Sequence, residues 1–294
     1  MESSIDEIEI LPHVLFNALN QANPILLLDC RENQCFLSCR IRKSVNFTIG
    51  NWTELELEKL ITQVFLPGSL FLIFVAENSN PCEELADFLR RLQSSKLEVG
   101  GREGCLQLKS IKAIKLISFA HFFAKYGSCI SVFEGSEVAP IRPGLIKYFP
   151  TEIIPDFLFL GDYRDGSDDI VLANLKVTHL IDASGERLSE PAAMRLAIEY
   201  FPLRIWDLEG VNIRSHFESV TSFIRSAREQ RSDGRVLVHC RAGISRAATL
   251  VLAYLMESRI ELNLKNAFKS VVEKRPFVCP NASFRQQLRY SFVS

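Results

Sequence analysis

The sequence of 294 residues predicts an α/β protein of two domains, and three observations lead to that prediction. Apolar runs alternate with helical patterns through the first half of the chain. A stretch rich in proline and glycine comes next, which is typical of a linker. A strand, a short loop and a helix then follow one another closely at residues 236–256. A chain of this length is long for one domain and comfortable for two.

Strand and helix signals alternate in the first half. Ile25 to Leu28 is a continuous apolar run, typical of a strand buried in a parallel sheet. Further strands are predicted at Ser69–Val75 and Ile111–Leu116. Helices are predicted at residues 10–22, 53–65, 81–93 and 119–126. This alternation predicts an open α/β sheet for the first domain.

The stretch at residues 131–150 contains most of the breakers in the middle of the chain. They are Gly135, Pro140, Pro143, Gly144 and Pro150. We therefore predict a linker there, with one domain over residues 8–130 and another over residues 151–294.

The second half is organised around a strand, a loop and a helix. Val236 to Val238 is a short apolar run after a turn signal, and residues 247–256 lack glycine and proline, as a buried helix would. The loop from Cys240 to Arg246 should sit at a helix N-terminus. Backbone N–H groups are unpaired there and the local field is positive, so the loop is expected to bind an anion.

This loop combines a nucleophile with a phosphate cradle. A helix N-terminus lowers a thiol pKa from ~8.5 into the range ~3.5–7.5, so Cys240 is expected to be a thiolate. Gly243 lets the backbone approach a ligand closely. Arg246 can offer its planar fork to two phosphate oxygens. The expected phosphate-binding residues are Arg241, Ala242, Gly243, Ile244, Ser245 and Arg246.

The pattern His239-Cys240, five further residues and Arg246 resembles the signature of the cysteine-dependent protein phosphatases, in their dual-specificity branch. The resemblance covers roughly residues 150–290. It implies a protein-tyrosine-phosphatase-like α/β domain in which Cys240 and Arg246 are catalytic. It also implies that His239 supports the loop from behind.

Two other interpretations of Cys240 are weaker. A cysteine at a strand end is often a small buried hydrophobe, but Arg241 and Arg246 flank this one. A Cys–His protease pair is also disfavoured, because the adjacent side chains of His239 and Cys240 should diverge from a strand.

Asp207 is the predicted general acid and base. Tyr200 to Trp206 is expected to be a strand that ends at a loop carrying this aspartate. One carboxylate can protonate the leaving oxygen and then activate water. The interval between Asp207 and Cys240 resembles the one that the family keeps, and Glu209 is the second candidate.

The first half resembles a rhodanese-like module of the kind that precedes the catalytic domain in MAP-kinase phosphatases. The segments LLLDCREN and RIRKSVNF carry this resemblance. Glu77 stands near the corner where an active rhodanese has its nucleophile, and Cys82 is expected within the following helix. We therefore predict a catalytically silent domain. Arg40, Arg42 and Lys43 are its only candidate kinase-docking cluster, and a solvated face is the favoured interpretation of these three.

The segment from Arg275 to Leu288 resembles the closing motif of the dual-specificity fold. Asn281 is expected to cap the last helix, and Cys279 is expected to be buried. Ala247 departs from the family, which usually has Ser or Thr directly after the loop arginine. We therefore expect slower breakdown of the cysteinyl-phosphate.

Composition excludes several classes. The formal net charge of −1 gives no general attraction to nucleic acid or anionic membranes, and no apolar run approaches the length of a membrane span. The acidic N-terminus does not resemble a secretory signal. Free thiols suit the cytoplasm, with the nucleus as a further location. Cys30, Cys35 and Cys39 have irregular spacing for zinc, so neither metal nor cofactor is expected.

The favoured function is a phosphatase acting on phosphotyrosine, phosphoserine or phosphothreonine in a protein, with a MAP kinase as one candidate substrate. The main alternative is a phosphoprotein-binding pseudophosphatase or scaffold, because the layout also resembles the serine/threonine/tyrosine-interacting-like proteins. Those commonly lack the nucleophile that Cys240 provides here. In a third interpretation, the loop binds a phosphoinositide or an RNA 5′-phosphate. Such substrates usually require additional basic residues in the loop, and here only Arg241 qualifies.

Overall fold

The computed structural model describes residues 9–20, 25–47, 57, 70–77, 82–94, 98–99, 109–129, 132–136, 149–186, 192–261 and 263–292. The chain divides into two compact units, Met1–Ile146 and Lys147–Ser294. No helix in the described ranges is long and apolar enough to cross a membrane.

The first unit is built on a five-stranded sheet in the order β3-β1-β4-β6-β5. Its strands are β1 (Ile25–Asp29), β2 (Arg40–Ile41), β3 (Ser44–Asn46), β4 (Leu70–Ala76), β5 (Glu98–Val99), β6 (Lys109–Ser118) and β7 (Phe133–Glu134). The described helices of this unit are α1 (Pro12–Leu19), α2 (Asn33–Ser38), α3 (Glu83–Ser94) and α4 (Phe119–Tyr126). Strands β3, β1, β4 and β6 are parallel, and β5 pairs antiparallel with β6. The predicted open α/β sheet is confirmed.

The helices of this unit differ from their predicted bounds in ways that local chemistry explains. α1 begins at Pro12, whose missing N–H costs nothing in the first turn of a helix. α3 begins at Glu83, so Cys82 precedes the helix, where it is exposed, and does not lie within it as predicted. The helix predicted at residues 53–65 lies outside the described residues except for Leu57.

The second unit contains a five-stranded sheet in the order β11-β10-β12-β9-β8. Its strands are β8 (Thr151–Ile154), β9 (Leu158–Gly161), β10 (His179–Asp182), β11 (Glu199–Pro202) and β12 (Val236–His239). The described helices of this unit are α5 (Tyr163–Ser167), α6 (Asp169–Asn174), α7 (Ala192–Arg195), α8 (Phe217–Gln230), α9 (Arg246–Glu257), α10 (Leu264–Lys274) and α11 (Ala282–Phe292). A 3₁₀ turn at Arg214–His216 leads into α8.

The register of the parallel strands brings three strand ends to one edge of the sheet. His239 at the end of β12 pairs with Asp182 of β10 and with Gly161 of β9. Chain segments that leave the carboxyl ends of parallel strands meet in one crevice, where α/β proteins place their ligands. Cys240 is the next residue after β12, so it lies at this edge.

Helix α9 forms the centre of the core of this unit. All of its residues from Arg246 to Met256 are buried, as predicted for a helix without a solvent face. It packs against β12 and β9 and against α8, α10 and α11. The helix that begins at the candidate site is therefore fixed on all sides.

Strand β11 is shorter than predicted. It ends at Pro202, and Leu203 and Ile205 lie beyond it, although both are buried as expected. The ladder stops because its partner β10 turns away: the N–H of Ser184 donates to the side chain of Asp182 at 2.8 Å. The segment leading to Asp207 is therefore a loop.

Candidate active site

The candidate nucleophile lies at the end of the central strand. All four residues of β12 are buried, and Cys240 itself is 1% exposed. Helix α9 begins at Arg246, so the connecting loop spans residues 240–245. The predicted strand, loop and helix are all present.

Donors outside the loop hold its backbone carbonyl groups. The four hydrogen bonds run from Tyr163 N to Arg241 O (3.3 Å), from Arg275 Nε to Gly243 O (3.0 Å), from Cys279 N to Ile244 O (3.0 Å) and from Thr249 N to Ser245 O (2.8 Å). A trans peptide group is planar, and its N–H points away from its carbonyl oxygen. No peptide bond in the described ranges is cis. The N–H groups that follow these carbonyls therefore point to the opposite side of the loop.

Those N–H groups belong to Ala242, Ile244, Ser245 and Arg246. They donate to no acceptor within the part of the chain that the structure describes. Successive N–H groups at a helix N-terminus that converge without an acceptor form a site for an anion. The loop predicted to bind phosphate thus has bonded carbonyl groups and, among the described residues, backbone N–H groups without acceptors.

Gly243 meets a conformational and a steric requirement of this loop. Its φ is +66°, a region that side chains rarely adopt. A Cβ atom at this position would lie 2.5 Å from Nη2 of Arg275 and 2.6 Å from the carbonyl oxygen of Gly161. Only glycine fits this position without displacing the neighbouring backbone.

Arg246 is buried and only partly bonded. Its Nη1 donates to the carbonyl oxygens of Ser184 at 2.6 Å and Ile205 at 3.1 Å. Its Nε is buried and has no hydrogen-bond partner among the described residues; the nearest acid oxygen, Oδ2 of Asp207, is 3.6 Å away. A buried donor on a charged group is costly while it is unpaired, and an anionic ligand would satisfy it. The guanidinium is therefore anchored on one side and open to an oxyanion on the other.

Asp207 lies against the same loop. Its Oδ1 accepts hydrogen bonds from the hydroxyl of Ser245 at 2.7 Å and from Nδ2 of Asn281 at 2.9 Å. Its side chain is 34% exposed, so Asp207 is accessible from solvent. Trp206 and Leu208 on either side are exposed, and so is Glu209.

Asn281 does more than the predicted capping. Its Oδ1 accepts the N–H of Phe284 at 2.9 Å, which caps α11 as expected. Its amide group also donates to Asp207, and its backbone N–H donates to Ser245 Oγ at 3.2 Å. Asn281 thus connects the aspartate to the loop, a role that sequence reasoning assigned to no residue.

His239 is buried behind the loop. It is 1% exposed, and burial lowers the pKa of its imidazole, so the ring is neutral near pH 7. Its Nε2 lies 3.6 Å from Oδ1 of Asp182. A Cβ atom on Gly166 would lie 2.4 Å from this ring, so the glycine leaves room for the imidazole.

Two further residues of the site neighbourhood were missed from sequence. Arg275 holds the Gly243 carbonyl, and Asp165 is buried next to Gly161. Nothing in their local sequence distinguishes them from surface charges, although the resemblance of the Arg275–Leu288 segment pointed to the region. Cys279 was predicted to be buried, but its side chain is exposed; its backbone N–H carries the structural contact.

The other predicted residues are placed as follows. Arg241 and Ala242 are exposed at the mouth of the loop, and Ala247 is fully buried in the first turn of α9. Within the described ranges, no group of three or more His, Cys, Asp or Glu side chains could hold a metal ion.

Comparison with known proteins shows what this part of the chain resembles. The family model "Dual specificity phosphatase, catalytic domain" matches residues 158–292. Dual specificity protein phosphatase 5 of Homo sapiens is 36% identical over 186 residues, a match that covers 63% of this chain and 45% of that protein. A probable rhodanese domain-containing dual specificity protein phosphatase of Dictyostelium discoideum is 40% identical over 143 residues, covering 49% of this chain and 29% of that protein.

A third relative is longer still. MAP kinase phosphatase with leucine-rich repeats protein 3 of Dictyostelium discoideum is 34% identical over 203 residues, covering 69% of this chain and 21% of that protein. The matches thus span less than half the length of each of these three curated relatives. They agree with the loop geometry: residues 158–292 of this chain are similar to the dual specificity phosphatase catalytic domain.

Proposed function

We propose that this protein is a phosphatase that dephosphorylates phosphotyrosine, phosphoserine or phosphothreonine in a protein through a cysteinyl-phosphate intermediate. The observation that supports it most is the incomplete bonding around the loop. Four backbone N–H groups of the loop and the buried Nε of Arg246 have no acceptors among the described residues. A phosphoryl group would satisfy these donors together.

The first half of the reaction forms the intermediate. The Sγ of Cys240 attacks phosphorus, and the bond from phosphorus to the leaving oxygen breaks. The loop N–H groups and Arg246 bind the equatorial oxygens, over which the transition-state charge is spread. Protonated Asp207 gives its proton to the leaving oxygen, so that an alcohol or phenol departs.

The second half returns the enzyme to its starting state. The carboxylate of Asp207 takes a proton from water, whose oxygen bonds to phosphorus while the sulfur–phosphorus bond breaks. The products are inorganic phosphate and the Cys240 thiolate. Asp207 is held against the loop by Ser245 and Asn281 through its Oδ1, and we propose that its Oδ2 carries the transferred proton.

Ala247 affects the second half of the reaction, in which the cysteinyl-phosphate breaks down. A hydroxyl at this position is what the family usually offers to the departing thiolate, and the buried Ala247 has none. We propose that breakdown of the intermediate limits the turnover rate. Rapid-quench kinetics should then show a burst of alcohol that Ala247→Ser diminishes; a wild-type enzyme without a burst would contradict this.

The substrate is a phosphoprotein, and a MAP kinase is our candidate because one relative is a MAP kinase phosphatase.

We further propose that the first unit is a rhodanese-like, catalytically silent domain. The basic residues Arg40, Arg42 and Lys43 of this unit are poorly suited to docking an acidic patch of a kinase. Arg42 is only 5% exposed, and Nη2 of Arg40 lies 3.5 Å from Oε2 of Glu134. The favoured interpretation of the trio as a solvated face does not hold for Arg42. A reducing compartment, the cytoplasm or the nucleus, suits a reactive thiol.

The decisive experiment measures turnover of p-nitrophenyl phosphate and of phosphopeptides by the full chain. Wild type should hydrolyse these substrates. Cys240→Ser should lose at least about 10⁴-fold in kcat, because a serine hydroxyl is a far weaker nucleophile than a cysteine near neutral pH. Cys279→Ser is the matched control, since that exposed thiol is nearby and has no proposed role. Phosphopeptide binding without turnover by wild type would instead support the scaffold alternative.

A further inference from the structure

A buried arginine and a buried aspartate lie on the side of the loop to which its carbonyl groups point. Arg275 is 7% exposed and Asp165 is 9% exposed. They come from different elements, because Asp165 belongs to α5 and Arg275 follows α10. Neither takes part in the reaction proposed above.

Arg275 is fixed by contacts on three sides. Its Nε donates to the carbonyl oxygen of Gly243 at 3.0 Å, and its Nη1 donates to Oγ1 of Thr151 at 3.0 Å. The guanidinium carbon lies 4.4 Å from the ring centroid of Phe277. Only an arginine provides separate donors at these angles together with a flat face for the ring.

Asp165 completes a close-packed stack beneath the loop. A Cβ atom on Gly161 would lie 2.6 Å from its Oδ2, and a Cβ atom on Gly243 would lie 2.6 Å from the carbonyl oxygen of Gly161. The same Oδ2 accepts the N–H of Asp162 at 2.8 Å. The stack therefore runs from Asp165 through Gly161 and Gly243 to Arg275, with no room for an added methyl group at either glycine.

The ionisable groups of this stack influence one another. Burial lowers the pKa of Arg275, while the carboxyl groups of Asp165 and Asp162 act in the opposite direction. Burial, followed by the charge of Asp162, raises the pKa of Asp165.

We propose that Arg275 and Asp165 are positioning residues for oxyanion binding. Arg275 holds the Gly243 carbonyl, which directs the N–H of Ile244 into the cradle. Asp165 packs against Gly161, which in turn packs against Gly243, and so supports the loop from the other end of the stack. This inference rests on the proposed function for its role in catalysis, but it concerns the affinity of the loop for an oxyanion, which can be measured without turnover.

The test measures binding of tungstate to the full chain by titration calorimetry, alongside kcat and KM. Arg275→Met should weaken tungstate binding and lower kcat/KM by about tenfold to hundredfold, because one N–H of the cradle loses its orientation. Arg275→Lys should recover part of the loss, since an ammonium reaches one of the two acceptors. Asp165→Asn should produce a smaller loss in the same direction.

Arg235→Met is the matched control. Arg235 also donates to a carbonyl, that of Leu175 at 3.2 Å, and pairs with Asp156 at 3.2 Å, but it lies at the opposite end of β12 from Cys240. This variant should bind tungstate within about twofold of wild type while losing comparable thermal stability. A purely structural role for Arg275 would make the two variants alike.

The outcomes separate this inference from the proposed function. Wild type that binds tungstate without hydrolysing phosphate esters would overturn the function and leave the positioning role intact. A folded Arg275→Met or Arg275→Lys protein that binds tungstate as tightly as wild type would overturn the positioning role. Wild type that does not bind tungstate would overturn both. If Arg275→Met does not fold, Arg275→Lys decides the matter.

Discussion

The two sheets of this protein have the same layout and opposite chemistry at the same edge. β4 is the middle strand of the first sheet and β12 is the middle strand of the second. β4 is followed by Glu77, whose side chain is 58% exposed and lies 3.8 Å from Nη1 of Arg31. β12 is followed by the buried Cys240. One edge therefore presents a carboxylate where the other presents a thiol.

The buried arginines at the two edges differ more than their burial suggests. Arg31 and Arg246 are 6% and 7% exposed. Arg31 donates twice to Asp29, at 2.9 and 2.8 Å, and once to the carbonyl oxygen of Cys39, and it lies 3.4 Å from the ring centroid of Phe119. Its charge and its donors are satisfied internally. Among the described residues, Arg246 has no bidentate carboxylate partner, and its Nε, 3.6 Å from Oδ2 of Asp207, has no hydrogen-bond partner.

Burial of an arginine near the carboxyl edge of a parallel sheet is therefore not enough to make an anion site. What matters is whether the fold supplies the counter-charge. Where a carboxylate fills the fork, as in Arg31, the arginine stabilises its domain. Where carbonyl oxygens hold one side of the guanidinium and the nearest carboxylate is 3.6 Å away, as in Arg246, the other side is left to bind an anionic ligand.

The largest expected difference between the two edges lies in their carboxylates. Asp207→Asn should lower kcat by about 10²–10⁴, because the amide cannot give a proton to the leaving oxygen. The loss should be larger for phenyl phosphate than for p-nitrophenyl phosphate, whose leaving group needs less help. Glu77→Gln should leave both rates unchanged. An Asp207→Asn enzyme with equal losses for the two esters would argue against proton transfer by this residue.

Substitution of the two arginines should have different effects: loss of Arg246 should reduce catalytic efficiency, and loss of Arg31 should reduce stability. Arg246→Met should lower kcat/KM by about 10²–10³, since it removes an oxyanion donor from the loop. Arg31→Met should leave kcat/KM of the folded protein unchanged and cost about 3–5 kcal/mol in the first unit, because Asp29 is left buried without its partner. Steady-state kinetics and calorimetric melts on the same preparations measure both. Loss of turnover in folded Arg31→Met would contradict this, because it would show that Arg31 also contributes to catalysis.

The sequence predicted what lies close together along the chain. The strand, loop and helix around Cys240 follow from one apolar run, one short loop and one helix without breakers. The need for glycine at position 243 also follows from the loop. Local pattern was less informative for β11, because the end of that strand depends on how β10 turns at Asp182.

Contacts between distant segments could not be predicted in the same way. Arg275 meets Gly243 across 32 positions and Thr151 across 124, and no periodicity relates such partners. Asn281 gave a capping signal, which was correct, but its second contact with Asp207 depends on where the loop after β11 is placed. Cys279 was expected to be buried from its residue type, whereas only its backbone is held.

The smallest expected effect concerns buried carboxyl groups. Asp29 is paired directly with Arg31, whereas burial, followed by the charge of Asp162, raises the pKa of Asp165 from 3.8 to about 7. A carboxyl group with a raised pKa stabilises the folded state while it is protonated. That contribution is complete below pH 3.8 and is lost as the pH rises through 7. The second unit should therefore lose on the order of 2–4 kcal/mol between about pH 5 and pH 8 from this group.

Asp165→Asn should remove that loss, so the variant should gain stability relative to wild type as the pH rises from 6.5 to 8.5. His179 and His239 act in the opposite direction at lower pH, because burial lowers the pKa of both and their contribution is lost below about 6.5. Both histidines are present in wild type and variant, so their effect cancels when the two free energies of unfolding are subtracted. Asp169→Asn is the matched control on the adjacent helix: that exposed carboxylate pairs with Arg195, which lowers its pKa, so it should not change the slope above pH 6.5. Parallel stability curves for wild type and Asp165→Asn over this range would show that Asp165 is ionised throughout and that its charge is already balanced by Arg275.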